Sequence, residues 1–156
     1  VNVIFVCTGN TCRSPLAEGI ARKIAAERGI EGLTFSSAGI GAFDGAPASD
    51  AAILIGLERG IDLSRHRARS LTPSVAEGET ILLAMATSHL AAIRAIAPHA
   101  RAYLLSDYAS RGANQHSVSD PFGGDLAAYR QAADDIESLI SEALNRLVAE
   151  PSSGPR

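Results

Sequence analysis

The sequence predicts an α/β fold in which a four-stranded parallel sheet lies between helices on both faces. Three features predict it. Apolar, β-branched runs alternate with stretches whose apolar residues recur at helical spacing. The runs at residues 1–6 and 80–85 are nearly continuously apolar, the pattern of strands covered on both sides. Short connections rich in Gly, Pro, Asn and Ser separate most elements, and a βαβ succession of this kind closes as a parallel sheet.

The first strand, residues 1–6, ends at Cys7, where Gly9 and Asn10 favour a turn. Ser14-Pro15 places a capping hydroxyl ahead of a proline at the first helical position, with Glu18 in the first turn, so a helix is expected from there to about residue 28. Leu16, Ile20 and Ile24 give it one buried stripe, and Gly29 ends it. Residues 33–37 read as a second strand, and 38–47, with three glycines and a proline, as a surface loop long enough to line a site. Ser49 or Asp50 caps a helix that Gly60 closes. Thr72-Pro73 is expected to open a short helix, and Ser88 a further helix that Pro98 terminates. Residues 102–105 are the fourth strand, 106–124 a long polar loop of the kind that carries function in a compact domain, and 126–148 a long amphipathic helix.

At 156 residues the chain is about one domain long, with 46% hydrophobic and 20% charged residues. That composition excludes intrinsic disorder and collagen-like structure, and two cysteines exclude a disulfide scaffold. A net charge of −3 supplies no global pull toward nucleic acid or an anionic membrane, and 4% aromatics without Trp leave few stacking platforms. Residues 1–10 do not read as a secretory signal, and no apolar run approaches the roughly 20 residues of a membrane span. A cytoplasmic protein without nucleic-acid or membrane partners is expected. Any anion it binds must be held locally.

The segment Cys7-Thr8-Gly9-Asn10-Thr11-Cys12-Arg13-Ser14 offers such a place. A loop of this length at a strand-to-helix turn can curl so that successive backbone N–H groups point inward and, with the positive helix end, cradle a tetrahedral dianion. The same field favours the thiolate of Cys7, the nucleophilic form. Arg13 supplies a planar fork for two parallel hydrogen bonds to phosphoryl oxygens, which lysine does not reproduce. Taken alone, Cys7 also fits a buried core thiol and Arg13 an exposed helix residue; the strand before them and the helix after them favour the cradle. A thiolate attacking phosphorus needs a proton donor for the leaving group and then a base for water. Asp120 in Asp120-Pro121-Phe122-Gly123-Gly124 can serve both steps, with Phe122 lining a slot, although Asp-Pro is also an ordinary turn.

The sequence resembles the low-molecular-weight protein (tyrosine) phosphatases, whose signature is C-x5-R-S directly after the first strand together with a late Asp-Pro-aromatic loop. Ser37-Ala38-Gly39, His66, Thr72 and Leu83-Ala84-Met85 fall in family order between those ends. The resemblance implies a flavodoxin-like three-layer sandwich; one phosphatase domain over residues 1–150 is expected, and residues 151–156 read as a flexible tail. It further implies nucleophile Cys7, phosphate-binding Arg13 with the loop residues Thr8 to Ser14, general acid Asp120, and neither cofactor nor metal. Asn10, Ser14, Ser37 and His66 are implied to form a hydrogen-bond network bracing the loop, with the Ser14 hydroxyl aimed at the thiolate. Phosphorylated proteins are the implied partners, and a monomer is expected.

Within the family, Thr-Gly-Asn-Thr-Cys-Arg-Ser, Leu-Ala-Met and Asp-Pro-Phe-Gly-Gly resemble the bacterial protein-arginine phosphatases. Tyrosine-specific relatives carry a bulkier apolar residue at the position of Thr11, and usually an Asp at that of Ala86. A guanidinium wants a carboxylate and a flat edge, which Asp120 and Phe122 offer, with Phe43 or Asp44 assisting. Gly41 stands where arginine-specific relatives can place an aromatic. Phosphoarginine in proteins is therefore the expected substrate, with phosphotyrosine the alternative. Cys7 and Cys12 are candidates for a reversible disulfide that shields the nucleophile. Two other classes remain open: a thiol redox protein using both cysteines, and a phosphate-binding module that needs neither a nucleophile nor Asp120.

Overall fold

Strand β1 (Asn2–Cys7) runs through the middle of a four-stranded sheet, with β2 (Thr34–Gly39) on one side, β3 (Thr80–Ala84) on the other and β4 (Arg101–Leu104) beyond β3. All three pairings are parallel. The computed structural model describes residues 1–150, and the tail expected at 151–156 lies outside the described residues.

Alternate side chains of the central strands enter two separate cores. Val3, Phe5 and Cys7 of β1 and Ile81 and Leu83 of β3 join one layer, while Ile4, Val6, Leu82 and Ala84 join the other. Both faces are therefore dry, which is why these strands read as continuous apolar runs. The first layer holds α1 (Arg13–Glu27), α2 (Asp50–Glu58), α4 (Leu105–Ser110) and α5 (Leu126–Ala149), with α5 packed across the other three. The opposite face is covered by α3 (Thr87–Ile96), which packs on β3 and β4. Leu16 and Ile20 of α1 and Ile136 and Ile140 of α5 are buried in this layer, each contributing roughly 1.5–3 kcal/mol of apolar burial. Gly19 lets α1 approach its neighbour: a Cβ there would lie 2.5 Å from Ile61 Cγ2.

The strand order β2-β1-β3-β4 places the site. From β1 the chain turns through α1 to β2, then crosses to β3 on the other side of β1. The connections leaving the carboxyl ends of β1 and β3 diverge, and the crevice between them is where open parallel sheets take ligands. Cys7 is the last residue of β1, paired with Gly39.

Three expected elements differ. The loop beginning at residue 106 starts instead with the short helix α4, held because Leu105, Tyr108 and Ala109 are buried in the core layer that includes α5. Thr72-Pro73 opens only a turn, closed by Thr72 Oγ1 accepting from Val75 N–H at 3.2 Å. Helix α1 begins two residues before Pro15, with Cys12 at its N-cap and no side-chain cap, so the Ser14 hydroxyl does not cap.

Candidate active site

Between Cys7 and Arg13 the chain curls around the end of β1, and the surrounding structure turns its carbonyls outward. Cys7 O accepts from Ile40 N–H at 3.0 Å, Thr8 O from Gly41 N–H at 2.9 Å, Thr11 O from Ser49 N–H at 2.9 Å and Cys12 O from Leu16 N–H at 3.3 Å. Asn10 O accepts from His66 Nε2 at 2.7 Å. Among the described residues no protein acceptor takes the amide N–H of Thr8, Gly9, Asn10, Thr11 or Cys12. A loop with five of its carbonyls satisfied behind it and its amides free is a nest for an anion. Gly39 permits the approach, since a Cβ there would stand 2.5 Å from Thr8 O.

Asn10 has φ +57, in the left-handed region that Asn tolerates better than most residues, and it is fully buried. Arg69 N–H donates to Asn10 Oδ1 at 3.0 Å, which fixes the amide orientation, so Nδ2 donates to Ser14 Oγ at 2.8 Å. Ser14 Oγ lies 2.9 Å from Cys7 Sγ. With one lone pair of the hydroxyl already occupied, its hydrogen is free to point at the sulfur. Asn10, Ser14 and His66 are thus joined by hydrogen bonds. Ser37 is not: its hydroxyl donates to Glu18 Oε1 at 2.7 Å. Its carbonyl accepts from Arg69 Nε at 2.9 Å, and the Arg69 backbone N–H bonds Asn10 of the loop.

Cys7 is 3% exposed, yet it lines an open cavity of about 220 Å³ together with Thr8, Gly9, Thr11, Cys12, Arg13, Asp120 and Phe122. Arg13, first residue of α1, is buried; its Nη1 donates to Val118 O at 3.0 Å, and its Nη2 lies 3.6 Å from Asp120 Oδ2. Val118 is held in turn by its N–H donating to Met85 O at 2.8 Å, which ties the loop carrying Asp120 to the end of β3. Asp120 Oδ1 accepts from Phe122 N–H at 3.0 Å, while the carboxylate side chain is 55% exposed. Phe122, 77% exposed, stands at the cavity rim.

Cys7 and Cys12 carry free thiols. Cys12 Sγ lies 3.5 Å from Ser49 Oγ and 3.4 Å from Tyr129 Oη, and burial followed by the contact with Cys12 raises the Tyr129 hydroxyl above its ordinary value. Phe43 and Asp44 do not line the cavity; Asp44 Oδ1 is engaged by Ser70 N–H at 2.7 Å, so neither stands at the cavity wall. Two larger depressions, of about 430 and 540 Å³, lie elsewhere and contain no thiol.

Sequence reasoning missed His89. It is 2% exposed at the start of α3, and its Nε2 lies 3.0 Å from Thr8 Oγ1. Burial, followed by the nearby Arg13 charge, pushes its ring down to about 4, against a smaller opposing pull from Asp120. The available signal was a histidine three residues into a helix that follows a buried strand, where a side chain can bond the exposed end of its own helix.

The arrangement places a sulfur nucleophile, a ring of amide donors, a guanidinium and a carboxylate around one small cavity, the parts that phosphoryl transfer through sulfur requires. Comparison with known proteins agrees. The family model for low molecular weight phosphotyrosine protein phosphatase matches residues 2–153. A protein-arginine-phosphatase of Geobacillus stearothermophilus is 34% identical over 95% of this chain and 97% of its own length. A solved structure of YwlE arginine phosphatase, a cysteine-to-serine mutant with a phosphorylated active-site serine, superposes with TM-score 0.90 at 32% identity, covering 96% of this chain and 97% of that one. A low molecular weight protein tyrosine phosphatase from T. tengcongensis gives TM-score 0.87 at 36% identity, covering 94% and 99%. The chain therefore belongs to the low molecular weight phosphotyrosine protein phosphatase family.

Proposed function

We propose that the chain is a protein-arginine phosphatase that works through a cysteinyl-phosphate intermediate. The observation that carries the reading is the wall of the Cys7 cavity, which the hydroxyl-bearing Thr11 and the half-exposed Asp120 carboxylate both line. A guanidinium presents N–H donors to such oxygens, whereas a phenyl ring gains nothing from them and loses apolar contact. The arginine-phosphatase relative at 34% identity supports this, although the tyrosine phosphatase at 36% shows that identity alone does not separate the two.

In the proposed reaction the Cys7 thiolate, bonded by the Ser14 hydroxyl, attacks phosphorus while the free amides and Arg13 hold the three equatorial oxygens. The S–P bond forms as the P–N bond to arginine breaks, and the Asp120 carboxyl gives its proton to the departing nitrogen. Water then attacks the cysteinyl phosphate with Asp120 carboxylate taking its proton, the S–P bond breaks, and orthophosphate leaves. Residues 1–150 act as one catalytic domain, and the substrates are phosphorylated proteins. Phosphotyrosine hydrolysis is the second reading, favoured by the exposed Phe122 ring at the rim, on which an aryl group can stack. Competition between a phosphoarginine and a phosphotyrosine peptide in one assay decides: faster consumption of phosphoarginine is expected, and a preference for phosphotyrosine rejects the arginine reading.

A further inference from the structure

His89 has no part in the reaction above, yet it is buried against the phosphate-binding loop. A neutral imidazole has one donor and one acceptor nitrogen. Ala86 N–H points at His89 Nδ1 over 3.1 Å, so Nδ1 accepts. The proton is then on Nε2, which donates to Thr8 Oγ1 at 3.0 Å. That assignment has a consequence for Thr8, the residue after the nucleophile, which is itself one of the residues lining the cavity. Its hydroxyl owns one hydrogen and two lone pairs. With a lone pair occupied by His89, the hydrogen remains for the cavity. In the opposite tautomer Thr8 would give its hydrogen to the ring and present only lone pairs to an incoming oxyanion.

We propose that His89 is a positioning residue that fixes the Thr8 hydroxyl as a hydrogen-bond donor to an oxygen of the bound phosphoryl group. This rests on the phosphoryl-transfer reading of the cavity. Two constraints hold the arrangement: the N–H of Ala86, the N-cap of α3, sets Nδ1, and the β-branched Thr8, anchored by Gly41 N–H donating to its carbonyl at 2.9 Å, has few side-chain rotamers. Each oxygen of a dianion bound beside Cys7 then meets an amide, Arg13 or this hydroxyl.

The test needs no turnover, so its failure is distinct from a failure of the phosphatase reading, which absence of hydrolysis would report. Nitrogen-15 spectra of the full chain, with His89 assigned by its loss in His89→Gln, are expected to show the neutral Nε2–H form at pH 7. Orthophosphate binding, titrated by the same spectra, is expected to weaken about tenfold in Thr8→Val and about tenfold in His89→Leu, the scale of one hydrogen bond to a charged group. The double variant is expected to bind no worse than either alone, and His89→Gln, which can accept from Ala86 and donate to Thr8, to recover most of the affinity. An Nδ1–H or doubly protonated ring at pH 7, unchanged binding in Thr8→Val, or additive losses in the double variant would overturn the assignment. Should His89→Leu fail to fold, the tautomer and the Thr8→Val titration still decide.

Discussion

The hydroxyl of Ser14 stands 2.9 Å from the sulfur of Cys7, and both are buried. Because Asn10 Nδ2 donates to that hydroxyl at 2.8 Å, the serine hydrogen is left for the sulfur. A hydrogen bond to a charged acceptor contributes about 1.5–3 kcal/mol. Ser14→Ala is accordingly expected to lower kcat/KM by roughly 10- to 100-fold. It should also slow the alkylation of Cys7 by iodoacetamide. An unchanged alkylation rate would show that the Ser14 hydroxyl does not hold the thiolate.

Asp120 faces the cavity with one oxygen engaged by Phe122 N–H and the other near Arg13. As the proton donor it matters in proportion to the basicity of the leaving group. Asp120→Asn should therefore slow phosphoarginine and alkyl phosphates by about 10²–10⁴-fold, and activated aryl phosphates far less. Equal slowing across leaving groups, measured by steady-state rates, would remove Asp120 from that role.

Thr11 lines the cavity, and its hydroxyl lies 3.8 Å from Cys12 Sγ. Thr11→Ile replaces that hydroxyl with apolar surface in the cavity wall. The ratio of kcat/KM for phosphotyrosine over phosphoarginine peptides is expected to rise by about tenfold or more, the scale of one or two buried methylenes. A ratio that stays constant would leave substrate choice to other residues.

His89 also links stability to pH. Its ring is pushed down to about 4 in the folded chain, from 6.5 for a free side chain. Between those values the unfolded chain binds the proton and the folded chain does not, so stability is fully present above pH 6.5 and is lost as pH falls toward 4. Urea unfolding midpoints should drop over that window, and drop less in His89→Gln. Parallel pH trends in the two proteins would show that His89 is not the group responsible.

Much of this was legible in the residues themselves. The strand-loop-helix succession around Cys7 and Arg13 is local, so turn chemistry and periodicity place it within a residue or two. Helix α4 was hidden because Leu105-Ser106-Asp107-Tyr108-Ala109-Ser110 is too short to show a period, and it owes its helicity to burial in the core layer that includes α5. Ser14 was misplaced for a related reason: a hydroxyl before proline has the form of a cap, but the helix starts at Arg13 and the hydroxyl is claimed by Asn10 and Cys7. Ser37 and Glu18 meet across β2 and α1, and His89 meets Thr8 across most of the domain. Such pairings are set by tertiary packing, which a single sequence does not print.

The most direct test of the account is rapid quenching of the chain with a phosphoarginine peptide in acid, followed by peptide mass spectrometry. One phosphoryl group is expected on Cys7, formed and lost within turnover and absent in Cys7→Ser, which should bind the peptide without releasing orthophosphate. Turnover with no phosphate on Cys7, or substantial hydrolysis by Cys7→Ser, would contradict it.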